Sequence, residues 1–239
     1  EREQVLIYIE ALKRVPVLSV ASCISDLDSA YGCIEDEADE LLEVINQARR
    51  KAHINICKDL AQLKLELDGL LVDVVEALNS VFDRFSHDEV IEIANELAEI
   101  KEYEESYNQV YEKFMDLYAI KYSETLKSYQ RYIFDMVEDI SKFEAPDDLN
   151  ELCSITRKLD NIAQPLQVYL LSRGQSNLQS ESVAIAKRIR NLAVELYRET
   201  NSAEMSIKLI NLEIELFSEL PEFYEQLQED KVLVEQLIN

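Results

Sequence analysis

Apolar residues recur at spacings of three and four along most of the chain, which is the period of an α-helix that buries one face. The segment from Leu149 to Ile162 shows this clearly, because its leucines and isoleucines follow the helical spacing throughout. No stretch shows the alternation of apolar and polar residues that marks a half-buried strand. The pattern therefore predicts an all-α protein.

Glycine and proline divide this pattern. The sequence contains 3 Gly and 4 Pro, and neither residue occurs between Gly69 and Pro146. We expect Pro16 to kink or split a first helix and Tyr31-Gly32 to end it, since proline removes a backbone N–H that an α-helix needs. We expect Pro165 to interrupt a later helix in the same way. The change in composition at Pro146 predicts a domain boundary there.

The sequence before this boundary predicts two long helical segments. One runs from about Ile34 to Phe85. The other begins at Ser86, where Ser86 and Glu89 form a capping box, and it continues to about Phe143. Segments of similar length that are joined by a short turn predict a long antiparallel helical hairpin or coiled coil, which we assign to residues 1–145.

The sequence after the boundary predicts shorter helices. Three of them follow one another, at about Glu181 to Glu199, Ala203 to Ser218 and Pro221 to Ile238, and polar residues or proline separate them. They are expected to form a small helical bundle of TPR-like helix pairs, where TPR denotes the tetratricopeptide repeat. This second domain is predicted to span residues 146–239.

The charge of the chain excludes several classes of protein. There are 48 Asp and Glu against 24 Lys and Arg, which gives a formal net charge of −24. Binding to a nucleic-acid backbone depends on neutralising phosphates with Lys and Arg, so we expect no nucleic-acid partner. An acidic mimic of nucleic acid, which blocks a basic partner, is an alternative that the charge leaves open. The scarcity of glycine argues against a Rossmann or P-loop enzyme.

Side chains for catalysis or metal binding are also scarce. The 2 histidines, His53 and His87, belong to no Glu-x-x-His or HExxH motif and form no recognisable catalytic motif with a serine or cysteine. We therefore predict that the protein is not an enzyme and has no catalytic residue, no cofactor and no metal. An enzyme or metal protein with a carboxylate site inside a helical bundle is the alternative, since 48 acidic residues would hide such a site.

Two clusters of charge lie close together in the sequence. Acidic residues are dense from Glu35 to Glu43, which suits the positive N-terminal end of a helix dipole. Arg49, Arg50 and Lys51 follow, and we expect them to pair with acidic residues of the same chain. The acidic run is interpreted either as a solvated face or as a patch that contacts a partner.

Tyrosines are concentrated in one segment, where 7 of the 12 lie between residues 103 and 132. At about 100° per residue they fall within one third of the circumference of a helix. Two interpretations are open, namely an aromatic surface that binds a partner and a core seam whose hydroxyls reach the edge. On the first interpretation the partner-binding residues are Tyr103, Tyr107, Tyr111, Tyr118, Tyr122 and Tyr129.

The cysteines and the apolar stretches indicate a cellular location. The four cysteines are sparse and are expected to be buried free thiols, as in a reducing cytosol; they are Cys23, Cys33, Cys57 and Cys153. The longest uncharged stretch near the start, Val15 to Ser25, is too short to cross a bilayer and contains a proline. We therefore expect a cytoplasmic protein that contacts no membrane.

The last third of the chain contains a combination of short motifs. They are Ala163-Gln164-Pro165-Leu166-Gln167, Ser172-Arg173-Gly174, Arg188 to Leu196 and Leu220-Pro221-Glu222. This combination resembles the helical region behind the J domain in some bacterial J-domain co-chaperone-like proteins, which implies a module for protein interaction. The sequence lacks the His-Pro-Asp signature of a J domain, so such a domain would either precede Glu1 or be missing from the protein.

The function predicted from the sequence is a non-enzymatic, helical protein–protein interaction module. The resemblance extends this prediction to a chaperone-linked adaptor. The partner is expected to be a protein, and self-association into a homo-oligomer is left open.

Overall fold

The computed structural model describes residues 2–56, 61–102, 109–142, 148–173, 177–200, 203–217 and 221–238. These residues form helices and the turns between them, without strands, so the prediction of an all-α protein is confirmed. The α-helices are α1 (Arg2–Leu12), α2 (Val20–Lys51), α3 (Ala61–Arg84), α4 (His87–Glu102), α5 (Gln109–Ser141), α6 (Leu149–Ser172), α7 (Asn177–Thr200), α8 (Ala203–Leu216) and α9 (Pro221–Ile238). A short 3-10 helix, Val17–Ser19, lies between α1 and α2.

The breaks predicted near the start of the chain are partly confirmed. Pro16 does split the first helix, since α1 ends at Leu12 and Pro16 precedes the 3-10 helix in an extended conformation. The predicted stop at Tyr31-Gly32 is wrong, because α2 continues through both residues to Lys51. Both residues are buried. This tertiary packing outweighs the cost of about 1 kcal/mol that glycine carries inside a helix.

The capping box predicted at Ser86 is confirmed. The backbone N–H of Ser86 donates to Oε2 of Glu89 at 2.8 Å, and the N–H of Glu89 donates to Oγ of Ser86 at 3.4 Å. Helix α4 begins at the next residue, His87. The long helix expected from this point is described as α4 and α5, with residues 103–108 outside the described part of the chain.

Pro165 does not interrupt its helix. It lies within α6, which continues to Ser172, so a break at Pro165 is wrong. Pro165 is buried together with Ala163 and Leu166 on either side of it. Proline cannot donate the backbone hydrogen bond of this turn, and the packing of the apolar face compensates for the missing bond.

The chain divides into two compact units, Glu1–Lys121 and Tyr122–Asn239, and the division falls inside α5. The domain boundary predicted at Pro146 lies outside the described residues. Each unit has its own set of buried apolar residues.

In the first unit α1 packs on α2 and α3, and α2 packs on α4. The apolar faces of these helices and of the first turns of α5 are buried; among the buried residues are Val5, Ile9, Ile24, Leu27, Val74, Leu78, Ile93, Leu97 and Phe114. The guanidinium of Arg84 donates to the carbonyl oxygens of Leu12 at 2.7 Å and Val15 at 2.5 Å. These bonds satisfy carbonyls that the end of α1 would otherwise leave without a partner.

In the second unit α7 packs on α8, α8 packs on α9, and α6 packs on both α7 and α8. The last turns of α5 contribute apolar residues to the same core. The cluster includes Ile133, Met136, Ile140, Leu152, Ile189, Leu192, Leu196, Leu209, Leu212 and Leu227.

Candidate functional site

The structure buries three of the tyrosines that were predicted to bind a partner. Tyr111, Tyr118 and Tyr122 have almost no exposed surface. Tyr129 is half-buried and packs against the core of the second unit. Tyr103 and Tyr107 lie outside the described residues. The core-seam interpretation therefore describes Tyr111, Tyr118 and Tyr122, because a ring buried within its own chain has no surface to offer a partner.

Ring stacking explains part of this burial. The ring centroids of Phe82 and Phe114 are 5.3 Å apart, and those of Phe114 and Tyr118 are 6.5 Å apart. Aromatic pairs of this kind add about 0.5–1.5 kcal/mol each to the free energy gained from burial. In the first unit the aromatic residues thus hold the beginning of α5 against α3.

The acidic run lies in the middle of α2 and on its surface. Its interpretation as the N-terminal end of a helix is wrong, because α2 already begins at Val20 and the dipole acts only within the first turn. The exposed carboxylates of the run are those of Asp36, Glu37, Asp39, Glu40 and Glu43. Solvent or a partner can therefore reach the run from outside.

Polar contacts fix the first half of α2 in the core of its unit. Oδ1 of Asp28 accepts a hydrogen bond from the backbone N–H of Tyr111 at 3.0 Å, and Oδ2 lies 2.8 Å from Nζ of Lys101. The hydroxyl of Tyr31 donates to the carbonyl oxygen of Leu67 at 3.4 Å. These contacts fix the first half of α2 against neighbouring helices, and the second half of α2 continues the same helix.

One face of this second half exposes apolar side chains. Leu41 is 48% exposed and Val44 is 61% exposed. At about 100° per residue the same face contains five more exposed residues, and we call the whole set the Leu41 face. Its members are Cys33, Glu37, Glu40, Leu41, Val44, Ala48 and Lys51. The face combines an apolar centre with two carboxylates and, in the last turn of α2, a lysine.

Other carboxylates of α2, on the side of the helix away from the Leu41 face, repel one another. The pKa of Glu35 is raised by burial and then by neighbouring carboxylates, which are those of Asp36, Asp39, Asp28 and Glu112. The last turn of α2 compensates in part, because Arg50 lies 3.3 Å from Glu43 as the sequence predicted for the basic cluster. The remaining charge gives this part of α2 a negative potential, which attracts cationic partners.

Helix α2 ends in a Schellman motif, which usually carries glycine. The N–H groups of His53 and Ile54 donate to the carbonyl oxygens of Arg50 at 3.1 Å and Arg49 at 2.9 Å. His53 occupies the left-handed position with φ of 57°. A side chain there costs about 1 kcal/mol relative to glycine. Beyond this end, Ile54 and Ile56 add further exposed apolar surface.

The described residues contain no group of three or more His, Cys, Asp or Glu side chains that could hold a metal ion. Among the side chains that the structure describes, three charged ones are completely buried, which the sequence did not predict, namely those of Asp28, Lys101 and Glu213. The helical spacing of neighbouring apolar residues could have predicted this burial. Glu213 follows Leu209 and Ile210 by four and three residues, and this spacing places it on an apolar face.

The thiols differ in exposure. Cys23 and Cys153 are buried and free, as predicted, whereas Cys33 is exposed, contrary to the prediction. Cys57 lies outside the described residues. Burial raises the pKa of Cys23 to about 11. Cys23 is buried because it lies near the start of α2, where α1 covers it and its thiol donates to the carbonyl oxygen of Tyr8 at 3.8 Å.

One segment is apolar and long enough to cross a membrane by composition alone. It is Val17–Lys51, which contains an 18-residue window with mean hydropathy of 1.2. Half of this window is buried within the structure, and the core helix of a soluble protein meets the same criterion.

No protein-family model matches the chain, and no curated protein or solved structure is significantly similar to it. Function is therefore inferred from the geometry and charge of the residues themselves.

Proposed function

We propose that this chain is a non-enzymatic, helical protein–protein interaction module and that the Leu41 face of α2 binds the partner. The observation that carries the proposal is the exposure of Leu41 and Val44 on a helix whose first half is anchored by the buried Asp28–Lys101 pair. An apolar patch with charged neighbours on a fixed helix is suited to binding, because the apolar atoms supply affinity and the charges select the partner.

The chemistry of the face defines the partner that fits it. Covering the exposed parts of Leu41 and Val44 supplies about 2 kcal/mol in total. The flanking carboxylates of Glu37 and Glu40 favour lysine and arginine on the other side of the interface. The partner segment is therefore an amphipathic helix with apolar residues at spacings of three and four and basic residues beside them.

Other parts of the proposal have separate support. TPR-like helix pairs in the last part of the chain are supported by the successive packing of α7 on α8 and of α8 on α9. The long hairpin or coiled coil of residues 1–145 is proposed from the sequence pattern alone. A role as a chaperone-linked adaptor is supported by the resemblance of the last third to the helical region behind a J domain. A cytoplasmic location is supported by the free thiols of Cys23 and Cys153. The net charge of −24 supports a protein partner rather than a nucleic acid.

Two synthetic peptides of identical composition test the proposal. In the first, leucines follow the helical spacing and lysines occupy the other faces; in the second, the same residues are scrambled. Fluorescence anisotropy titrations with the intact chain are expected to show at least about tenfold tighter binding of the first peptide. The affinity should weaken as salt is raised, since exposed charges are screened. Equal affinity for both peptides would mean that net charge alone attracts them and would refute the proposed surface.

A further inference from the structure

A carboxylic acid is enclosed in the second unit without a full hydrogen bond. Glu213 of α8 is completely buried, and neither of its side-chain oxygens accepts a hydrogen bond of normal geometry from the described residues, although the backbone N–H of Arg190 lies near enough to favour the ionised form. Burying a polar group without such a bond is costly, and burying its charged form costs far more. The arrangement therefore needs an explanation in terms of the groups around Glu213.

An ion pair between the two neighbouring helices lies beside Glu213. Nε of Arg190, on α7, donates to Oδ2 of Asp230, on α9, at 2.6 Å. Both partners are about one-fifth exposed. Arg190 is the nearby cation for Glu213 and Asp230 the nearby anion. The guanidinium of Arg190 thus pairs with Asp230 of α9 rather than with the buried acid.

Helix α6 also packs on α8, but its charged side chains do not face Glu213. On α6, Arg157 pairs with Glu215, through Nε at 2.9 Å and Nη2 at 2.7 Å. Glu215 is half-exposed, so this pair lies toward solvent. The charged groups that face Glu213 are therefore Arg190 from α7 and Asp230 from α9.

Burial has a direct consequence for protonation. It raises the pKa of Glu213 to about 9, an effect that Arg190 opposes and Asp230 reinforces. Near neutral pH the enclosed group is therefore the neutral acid, which has a far smaller desolvation cost than the carboxylate.

We propose that α9 is a releasable helix whose docking on α7 and α8 requires Glu213 to take up a proton. When α9 is docked, Asp230 occupies Arg190 and Glu213 is enclosed as the neutral acid. When α9 leaves, Glu213 returns its proton to water, ionises and pairs with the freed Arg190. Among the described side chains of α9, Leu227 is the buried one, and it belongs to the core of the second unit.

The direction of the pH dependence follows from the raised pKa. Docking is fully favoured below the ordinary pKa of a glutamic acid. Above that value, the docking equilibrium constant decreases by up to about tenfold per pH unit, until it levels off near the pKa of the docked state. Mild alkalinity therefore releases α9. This inference concerns the second unit and does not depend on the function proposed for α2.

Hydrogen exchange on the full chain tests the proposal. Exchange of the α9 amides is measured from about pH 5 to about pH 8.5 and corrected for the intrinsic pH dependence of exchange. In the wild type the protection of α9 should fall as pH rises, while that of α6 changes much less. Glu213→Gln, which mimics the neutral acid in the same volume, should remove the pH dependence and keep α9 protected.

Two further variants keep the test specific. Glu215→Gln lies on the same helix and changes an exposed carboxylate, so its α9 protection should follow the wild type at every pH. Asp230→Asn should lower the protection of α9 at every pH, because it removes the ion pair with Arg190. The proposal is overturned if wild-type α9 protection is independent of pH, if Glu213→Gln follows the wild type, or if α6 loses protection in parallel with α9.

Discussion

Nζ of Lys101 lies 2.8 Å from Oδ2 of Asp28, and both side chains are completely buried. The other oxygen of Asp28 accepts the backbone N–H of Tyr111, which belongs to the first turn of α5. Three helices of the first unit are therefore joined at one carboxylate. It compensates a buried ammonium and also accepts a hydrogen bond from the backbone of α5.

Removing the ammonium should destabilise the first unit severely. We expect Lys101→Met to cost about 3–5 kcal/mol, because it takes away the charge that compensates buried Asp28. The double variant Lys101→Met with Asp28→Asn should recover most of this loss, since asparagine has no charge and still accepts the Tyr111 N–H. Hydrogen exchange of α2 and α4 amides at increasing urea measures both changes. Equal destabilisation by the single and double variants would contradict the account.

The tyrosine stripe should behave as core where the structure buries it. Tyr118→Ala is expected to lower stability by about 3–5 kcal/mol, because the side chain is completely buried beside Phe114. Tyr132→Ala is the matched control, since this ring is 41% exposed, and it should cost less than about 1 kcal/mol. Thermal unfolding of the two variants checks the difference, and a similar melting temperature for both would argue that Tyr118 is not a core residue.

The end of α2 should tolerate glycine well. His53 has a φ of 57°, so His53→Gly removes strain, and the greater freedom of glycine in the unfolded chain offsets part of that gain. We expect a net stabilisation of roughly 0.5 kcal/mol, whereas His53→Val should destabilise, because a β-branched side chain fits this conformation poorly. Comparing the melting temperatures of the two variants with that of the wild type shows whether each substitution stabilises or destabilises the protein.

The thiols should react at very different rates. In a Cys57→Ser background, Cys33 should react with Ellman's reagent at least about a hundredfold faster than Cys23 near pH 8, because the reagent reaches an exposed thiolate and not a buried one. Burial raises the pKa of Cys23 to about 11 and that of Cys153 in the same direction. Both slow thiols should become fast after denaturation. Three equal rates in the native protein would contradict the burial of Cys23 and Cys153.

Local signals in the sequence were sufficient for several elements. The Ser86–Glu89 capping box and the start of α9 at Pro221 depend on neighbouring residues, so both were predicted. Gly32 was misread as a helix end and Pro165 as an interruption, because the burial that holds α2 and α6 together there comes from distant parts of the chain. Propensity is a weak guide where tertiary packing contributes more free energy.

The candidate site, too, could be predicted only in part from local sequence. The acidic run of α2 was recognised as a possible contact patch, but its sequence does not reveal which apolar neighbours stay uncovered. Whether Leu41 is exposed depends on where α1 and α4 end against α2. The tyrosines were also predicted only in part. Their regular spacing is compatible with both a recognition surface and a core seam, and only the packing of α5 distinguishes the two.

The central claim is that the Leu41 face binds a basic amphipathic helix, and the most direct measurement compares two double variants with the same chemistry. Leu41→Ser with Val44→Ser removes the apolar centre of the face and keeps every charge. Val72→Ser with Ile120→Ser removes two other exposed apolar residues of the first unit, which are 65% and 74% exposed. Binding of the amphipathic leucine–lysine peptide should weaken at least about tenfold in the first variant and remain unchanged in the second. Equal affinity of the two variants for the peptide would contradict the claim.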